Sequence, residues 1–168
     1  MSALYRLMQL LYFMLPAYAA NMTPPFLKYW KGWNPPIARQ SLGSHKTVLG
    51  FASGVCAAVV VVFIQSVVPW DGRLVAYEGW LGLGLRFGVG AMAGDSLKSF
   101  VKRRVGVAPG EPWIPFDQVD FAIGALVLTL GRAALSWLDW TVILVFSAGA
   151  HVVVTRFAYR LKIRDAKW

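Results

Sequence analysis

The sequence is dominated by long apolar runs that follow one another with short gaps between them. A helix needs roughly 20 apolar residues to cross the hydrocarbon core of a bilayer. Five runs come close to that length, over residues 2–20, 48–68, 80–100, 121–138 and 140–159. Charged residues make up only 15% of the chain, against roughly a quarter in a soluble domain. We therefore predict an all-α, polytopic membrane protein with about five transmembrane helices, built as a single domain over residues 1–168.

The net charge of +9 is explained by where the basic residues lie. They gather in two long connections, after the first and third runs, and in the C-terminal tail, whereas the other two connections are short. Positive loops stay on the cytoplasmic side of a membrane. We therefore predict an N-terminus outside, a cytoplasmic C-terminus and cytoplasmic loops after helices 1 and 3. On this interpretation the basic residues set topology and meet anionic substrates or lipid headgroups, and nucleic acid is not a partner.

The third run carries two pairs of glycines at helical spacing, Gly84/Gly88 and Gly90/Gly94. Small residues four positions apart let two membrane helices approach closely. We interpret these glycines as packing positions rather than as part of a catalytic motif.

An acidic residue follows the last of these glycines, near the end of the third run. Asp95, Ser99 and Lys102 are spaced i, i+4 and i+7, so they share one face of a helix. An ionisable side chain inside a membrane segment is costly and is a candidate for function. The alternative is an anchoring ion pair between Asp95 and Lys98, and the spacing leaves both interpretations open.

Two further aspartates open the fourth run, after a proline-rich loop. Asp117 and Asp120 are spaced i, i+3, which is also ordinary chemistry for the first turn of a helix. However, they would lie at the same membrane depth as Asp95. Magnesium prefers such carboxylate oxygens, with waters and substrate phosphates completing its shell. Three carboxylates beside lysine and arginine favour metal-assisted phosphoryl or nucleotidyl transfer.

A third candidate precedes the second run, in the stretch from Gly43 to Thr47. It lacks the spacing of a P-loop. Backbone N–H groups of Gly43 and Ser44 at a helix N-terminus could still hold a phosphate, with Lys46 adding charge. The alternative is a helix cap with Lys46 reaching toward the headgroups, and both stay open.

Taken together, these motifs resemble those of the archaeal CDP-archaeol synthases, a family related to the CDP-diacylglycerol synthases. The resemblance covers nearly the whole chain. It is carried by residues 15–25, 42–50, 94–104 and 110–124, including Asn21 and the pattern Asp117-Gln118-x-Asp120. Two positions depart from related patterns: Gln118 stands where CDP-diacylglycerol synthases commonly have arginine, and Thr155 where the archaeal family often has asparagine.

The resemblance implies an enzyme of the cell membrane whose active site faces the cytoplasm. CTP and an isoprenoid ether lipid phosphate, unsaturated archaetidic acid, would give CDP-archaeol and pyrophosphate with Mg²⁺ as cofactor, and membrane lipids would surround the enzyme. The implied catalytic residues are Asp95, Ser99, Lys102, Asp117 and Asp120, with the three aspartates as metal ligands. The implied substrate-binding residues are Asn21, Gly43, Ser44, Lys46, Thr47, Lys98 and Arg103. The alternative function is a small membrane transporter or channel with an acidic and basic site on its cytoplasmic side.

Overall fold

The fold is all-helical over the residues that the computed structural model describes, which are 2–108 and 111–162 apart from the side chain of Lys28. Pro109, Gly110 and the tail beyond residue 162, which the sequence analysis used for the loop motif and the charge pattern, lie outside this range. Six α-helices and one short 3-10 helix (η1) follow in order. They are α1 (Ala3–Met22), η1 (Pro24–Tyr29), α2 (Arg39–Leu42), α3 (Val48–Val67), α4 (Trp80–Arg104), α5 (Phe116–Leu128) and α6 (Trp137–Arg160).

Helix starts follow the capping residues in the sequence. Thr47 caps α3, where its hydroxyl oxygen accepts a hydrogen bond from Gly50 N–H at 3.2 Å. Ser136 and Asp139 form a capping box at the start of α6. Such side chains satisfy backbone N–H groups that have no partner inside the helix. The fifth apolar run therefore begins as a helix at Trp137, three residues before its predicted start at Trp140.

The fourth apolar run does not form the helix that hydropathy predicts. We expected a span over residues 121–138, but α5 runs from Phe116 to Leu128 and is followed by turns. Gly131 adopts a φ of +76° in these turns, a left-handed conformation that costs glycine little. Because hydropathy does not register backbone turns, the apolar residues after Leu128 gave a false continuation. With 13 residues, α5 is about 20 Å long.

Two described helices, α3 and α6, are long and apolar enough to cross a membrane by composition alone. The helices α1 and α4 have 20 and 25 residues, but they carry polar side chains such as Arg6 in α1 and Asp95 in α4. The all-α class is confirmed for the described residues, while the count of five spans and the orientation stay predictions.

Glycines bring α4 into close contact with its two neighbours. A Cβ atom on Gly88 would lie 2.7 Å from the Cα of Val55 in α3. On the other side, a Cβ on Gly94 would overlap the carbonyl oxygen of Asp120 in α5, and one on Gly124 would overlap the carbonyl oxygen of Gly90. The packing role predicted for these glycines is confirmed, and it brings Asp95 close to the start of α5.

The opposite end of the bundle is closed by a salt bridge between the first and last helices. The guanidinium of Arg6 in α1 donates to both carboxylate oxygens of Asp139 in α6, at 2.9 and 2.7 Å. Between this pair and the aspartate cluster lies the apolar core, in which Phe13 and Phe87 meet edge-on at 5.0 Å. The polar cluster on α4 and α5 therefore lies at the end of the bundle away from the chain start.

Candidate active site

The ammonium group of Lys98 stands at the centre of three carboxylates. Its Nζ lies 3.4 Å from Asp95 Oδ1, 2.9 Å from Asp117 Oδ1 and 2.9 Å from Asp120 Oδ2. Asp95 and Lys98 lie one turn apart on α4, whereas both other aspartates come from the first turns of α5. The close contact of Gly94 with α5 makes this arrangement possible, because it leaves no side chain between the two helices. The three aspartates that the sequence analysis grouped are thus brought together.

Two more lysines flank this cluster on opposite sides. Lys46 forms an ion pair with Asp95. Lys102 lies 3.1 Å from Asp117 Oδ2 and donates a 2.6 Å hydrogen bond to the carbonyl oxygen of Glu111. The cluster of Lys46, Lys98, Lys102 and the three aspartates has three cations and three anions, so its formal charge is zero. Phosphate groups that enter must therefore exchange places with carboxylates as partners of the lysines.

Lys46 reaches the cluster because the first long loop folds back on itself. Ile37 N–H donates to the carbonyl oxygen of Lys46 at 2.8 Å, and Val48 N–H donates to that of Pro35 at 3.0 Å. These two bonds form an isolated antiparallel bridge just before α3. The bridge holds the backbone of Lys46 beside α4, which no local feature of the sequence indicates.

The backbone around the aspartates supports the negative charge of their side chains. Asp117 Oδ2 accepts a hydrogen bond from Trp113 N–H at 2.5 Å, and Asp120 Oδ1 accepts one from Phe121 N–H at 2.6 Å. Asp117 also lies in the first turn of α5, where a carboxylate interacts favourably with the helix dipole. The N-cap position is Pro115, so Asp117 is a first-turn acid that accepts from the preceding loop, and this role is compatible with its place in the cluster.

The remaining predicted residues lie around the cluster rather than in it. Ser99 is buried, and its hydroxyl donates to the Asp95 carbonyl at 2.9 Å. The Arg103 guanidinium donates to the Ala108 carbonyl at 3.2 Å. Thr47 caps α3, as described above. Asn21 lines a separate cavity between α1, α5 and α6.

Gly43 and Ser44 do not begin α3, as the phosphate-binding hypothesis expected. Gly43 ends α2, with a φ of +88°, and its N–H already donates to the Arg39 carbonyl at 3.2 Å. Ser44 is exposed in the following turn. The reason is that Thr47 supplies the helix cap, so the N-terminus of α3 lies beyond both residues. Substrate binding by Gly43 and Ser44 stays a prediction.

The sequence predicts Lys98 only as a substrate-binding residue or an anchor for Asp95. Its i, i+3 spacing from Asp95 was the one local signal for its contact with an aspartate. The central position depends on the approach of α5, which spacing along α4 cannot show. Gln118, which the sequence marks only as a departure from a related pattern, is buried, and its Oε1 has no hydrogen-bond partner among the described residues.

Carboxylate oxygens are the ligands that Mg²⁺ prefers, so the three aspartates fit this ion in chemistry and in their convergence on one cation. The position between them is taken by the Lys98 ammonium. Accordingly, among the described residues no group of three acidic, histidine or cysteine side chains is arranged to hold a metal ion directly. Binding of Mg²⁺ here requires the flexible Lys98 side chain to turn away.

Three cavities adjoin or approach the cluster. A small one of about 50 Å³ lies beside Lys46 and Asp95. A groove of about 670 Å³ runs between α4 and α5 and includes Lys98 and Asp120 in its lining. The third, of about 470 Å³, lies between α1, α5 and α6 and is lined mainly by apolar side chains.

Comparison with known proteins decides between an enzyme and a transporter. The family model described as CarS-like, CDP-archaeol synthase, matches residues 3–168. The chain belongs to the CDP-archaeol synthase family. The CDP-archaeol synthase of Methanospirillum hungatei is 33% identical, with 92% of this chain and 100% of that protein covered. That of Methanopyrus kandleri is 32% identical, with 94% and 91% covered.

A solved structure gives the same answer. It is described as structural insight into an intramembrane enzyme for archaeal membrane lipids biosynthesis. It superposes with a TM-score of 0.63 at 28% identity and covers 89% of this chain and 91% of that one. The CDP-archaeol synthase resemblance, the CTP-using cytidylyltransferase class and the membrane location are therefore confirmed. The transporter or channel alternative has no support from these comparisons.

Proposed function

We propose that the lysine–aspartate cluster transfers the cytidylyl group of CTP to the phosphate of unsaturated archaetidic acid. An oxygen of the lipid phosphate attacks the α-phosphorus of CTP in line, and the bond from that phosphorus to the β-phosphate oxygen breaks. The products are CDP-archaeol and pyrophosphate. The observation that carries this proposal is the Lys98 ammonium held among three carboxylates, with Lys46 and Lys102 on either side.

The reaction depends on neutralisation of phosphate charge more than on proton transfer. The attacking phosphate oxygen is already anionic, so no side chain has to act as a general base. Lys46, Lys98 and Lys102 would bind the phosphates and neutralise the charge that accumulates on the leaving pyrophosphate. These lysines approach from a loop and from two turns of α4, so they surround a triphosphate rather than meet it from one side. Arg103 would add positive charge at the mouth of the site.

Asp95, Asp117 and Asp120 would hold Mg²⁺ once the Lys98 ammonium has moved to a phosphate. Magnesium bound there supplies charge neutralisation and polarises a phosphoryl oxygen. The backbone donors of Trp113 and Phe121 fix the two α5 carboxylates in place for this exchange. Ser99 would act as a positioning residue, because its hydroxyl binds the backbone of Asp95 and not the cluster.

The membrane topology that we propose has five spans, formed by α1, α3, α4, α5 together with the turns that follow it, and α6, with the cluster at the cytoplasmic end. The N-terminus lies outside and the C-terminus inside. The basic first loop and the basic end of α4 support this orientation by the positive-inside rule. CTP would then reach the site from the cytoplasm, and the lipid from within the bilayer.

The test is transfer of label from CTP to lipid. Purified full-length protein in detergent is incubated with CTP labelled at the α-phosphorus, Mg²⁺ and unsaturated archaetidic acid. We expect the label to become extractable with the lipid, together with one pyrophosphate for each lipid labelled. Absence of lipid-bound label under conditions where the protein remains folded would overturn the proposed reaction.

A further inference from the structure

Two large cavities lie on different sides of α5, and they differ in the polar and charged residues of their linings. The groove between α4 and α5 is lined by Lys98 and Asp120 of the cluster. The cavity between α1, α5 and α6 has Tyr18 and Ser147 hydrogen-bonded inside it at 3.0 Å. None of its described lining residues is lysine or arginine. Of these two cavities, only the α4/α5 groove therefore joins an apolar surface directly to a cation of the site among the described residues.

The remaining lining of the α4/α5 groove is apolar or glycine over its full length. On α5 the lining extends from Phe116 to Leu128, which at about 1.5 Å per residue is roughly 18 Å. One leaflet of the hydrocarbon core is about 15 Å deep. The groove thus has about the depth of one leaflet. Lys98 and Asp120 lie about 6 Å from its Phe116 end, and the apolar lining continues past them for eight residues, roughly 12 Å, to Leu128.

The groove is also open sideways. Leu97, Ile123 and Val127 are 64%, 41% and 48% exposed along its rim. The glycine contacts between Gly90, Gly94 and Gly124 form its narrow floor, so α4 and α5 meet there without filling the space above. In a bilayer this opening faces the lipid, and a molecule can enter without passing through water.

We propose that the α4/α5 groove binds the isoprenoid chains of the lipid phosphate, with the phosphate at Lys98 and Lys102. This assignment rests on the proposed function and adds the location of the chains. The charge complementarity selects an anionic amphiphile, because a cation lies near one end of the groove and an apolar surface roughly 12 Å long continues from it toward Leu128. The α1/α5/α6 cavity, which lacks that cation among its described lining residues, is not the chain site.

The test fills the outer part of the groove and leaves the cluster intact. Val127→Trp places a large ring seven residues, about 10 Å along the helix, from Asp120. The matched control is Val60→Trp on α3, because Val60 is 55% exposed and lines none of the cavities described above. Each variant is assayed for CTP turnover with a long-chain isoprenoid ether phosphate and with an analogue bearing two five-carbon prenyl groups.

We expect Val127→Trp to raise the KM for the long-chain substrate roughly tenfold or more, and to leave the short-chain KM within about twofold of the wild type. Val60→Trp should change neither. The proposal is overturned if the two variants behave alike with both substrates, or if Val127→Trp impairs both substrates equally while its melting temperature is unchanged.

A second measurement uses the wild-type protein and does not depend on folding of a variant. A lipid phosphate with a photoreactive diazirine at its chain end is cross-linked in detergent, and the labelled peptides are identified by mass spectrometry. Labels on residues 119–128 or 90–101 that unlabelled substrate competes away support the groove. Competed labels confined to α1 and α6 overturn it. If wild-type protein forms no lipid product from CTP, the proposed reaction fails, and the cross-link still reports separately on the groove.

Discussion

At the scale of single residues, Lys98 has one observed role and one proposed role, and both depend on its length and flexibility. In the structure its ammonium compensates three carboxylates, of which that of Asp120 is the most buried. Without it, those carboxylates would repel one another in a partly desolvated site. The same ammonium is available to a phosphate once another cation takes its place among the aspartates. The proposed function therefore includes the exchange of one cation for another among these carboxylates.

This exchange predicts how Lys98→Met responds to Mg²⁺. Removal of a partner from a buried charge cluster can cost about 3–5 kcal/mol, and the partial exposure of this cluster reduces that figure. We expect a lower melting temperature in EDTA and a larger rise on addition of Mg²⁺ than in the wild type, because the divalent cation replaces the ammonium. Lys31→Met, at an exposed loop position, is the control. Equal melting temperatures for variant and wild type with and without Mg²⁺ would contradict the cation exchange.

The three aspartates give a second prediction at this scale. Asp95→Asn, Asp117→Asn and Asp120→Asn should each reduce CTP turnover by at least about a hundredfold, with the protein still folded in detergent. The losses should not add in double variants, because each change breaks the same site. Asp71→Asn, in the exposed loop between α3 and α4, should retain activity. Near-normal, magnesium-dependent turnover in two of the three variants would contradict the shared site and leave Asp117 and Asp120 as structural residues at the start of α5.

At the scale of helices, the contact between α4 and α5 determines whether the cluster can form. Asp95 and Lys98 lie on one helix, and Asp117 and Asp120 on the other. Gly94 and Gly124 permit a backbone approach that no larger residue allows, because an added Cβ would overlap a carbonyl oxygen of the partner helix. Backbone atoms cannot move aside as a flexible side chain can, so any methyl group here must separate the helices.

Gly94→Ala and Gly124→Ala should therefore lose activity although neither changes a polar group. Overpacking of this kind costs about 1–3 kcal/mol, and the wider helix spacing removes Lys98 from its α5 partners. The matched control is Gly149→Ala in α6, where an added Cβ meets nothing within 4 Å. That change should be neutral or stabilise the protein by up to about 1 kcal/mol through helix propensity. Turnover and melting temperature measured on the same samples check the prediction; a fully active Gly94→Ala would contradict it.

At the scale of the whole molecule, the two ends of the bundle have different chemistry. One end is closed by the Arg6–Asp139 salt bridge between α1 and α6. The other holds the lysine–aspartate cluster and the basic loop of η1 and α2. The proposed function assigns CTP binding to the second end, so the proposed orientation places that end in the cytoplasm.

Topology is tested by cysteine accessibility in a variant that lacks the native Cys56. Single cysteines at Asp71 and at Lys31, both exposed, should react with a membrane-impermeant maleimide from opposite sides of sealed vesicles. A cysteine at Arg104 should react from the same side as that at Lys31. Labelling of positions 71 and 31 from the same side would contradict the five-span arrangement with the N-terminus outside.

Much of this protein is determined by local sequence. Its local signals can be seen in short stretches of sequence. They are the apolar runs of helical length, the capping residues such as Thr47 and Ser136, and the glycine pairs of α4. For this reason the helical class, the packing role of Gly90 and Gly94, and the common depth of the aspartates could all be predicted. The spaced motifs also carried the family resemblance, since they are distributed along the chain from residue 15 to residue 124.

Only the tertiary structure decided what depends on contacts between distant segments. The Ile37–Lys46 backbone bond brings Lys46 to Asp95, and the α4/α5 contact makes Lys98 the centre of the cluster. The groove exists because the same two helices touch at their glycines and diverge at their larger side chains. Hydropathy also extended the predicted fourth helix past Leu128, because hydropathy does not detect the backbone turn around Gly131. The chemistry of each side chain was readable in the sequence, but which charges compensate one another depends on distances that only packing sets.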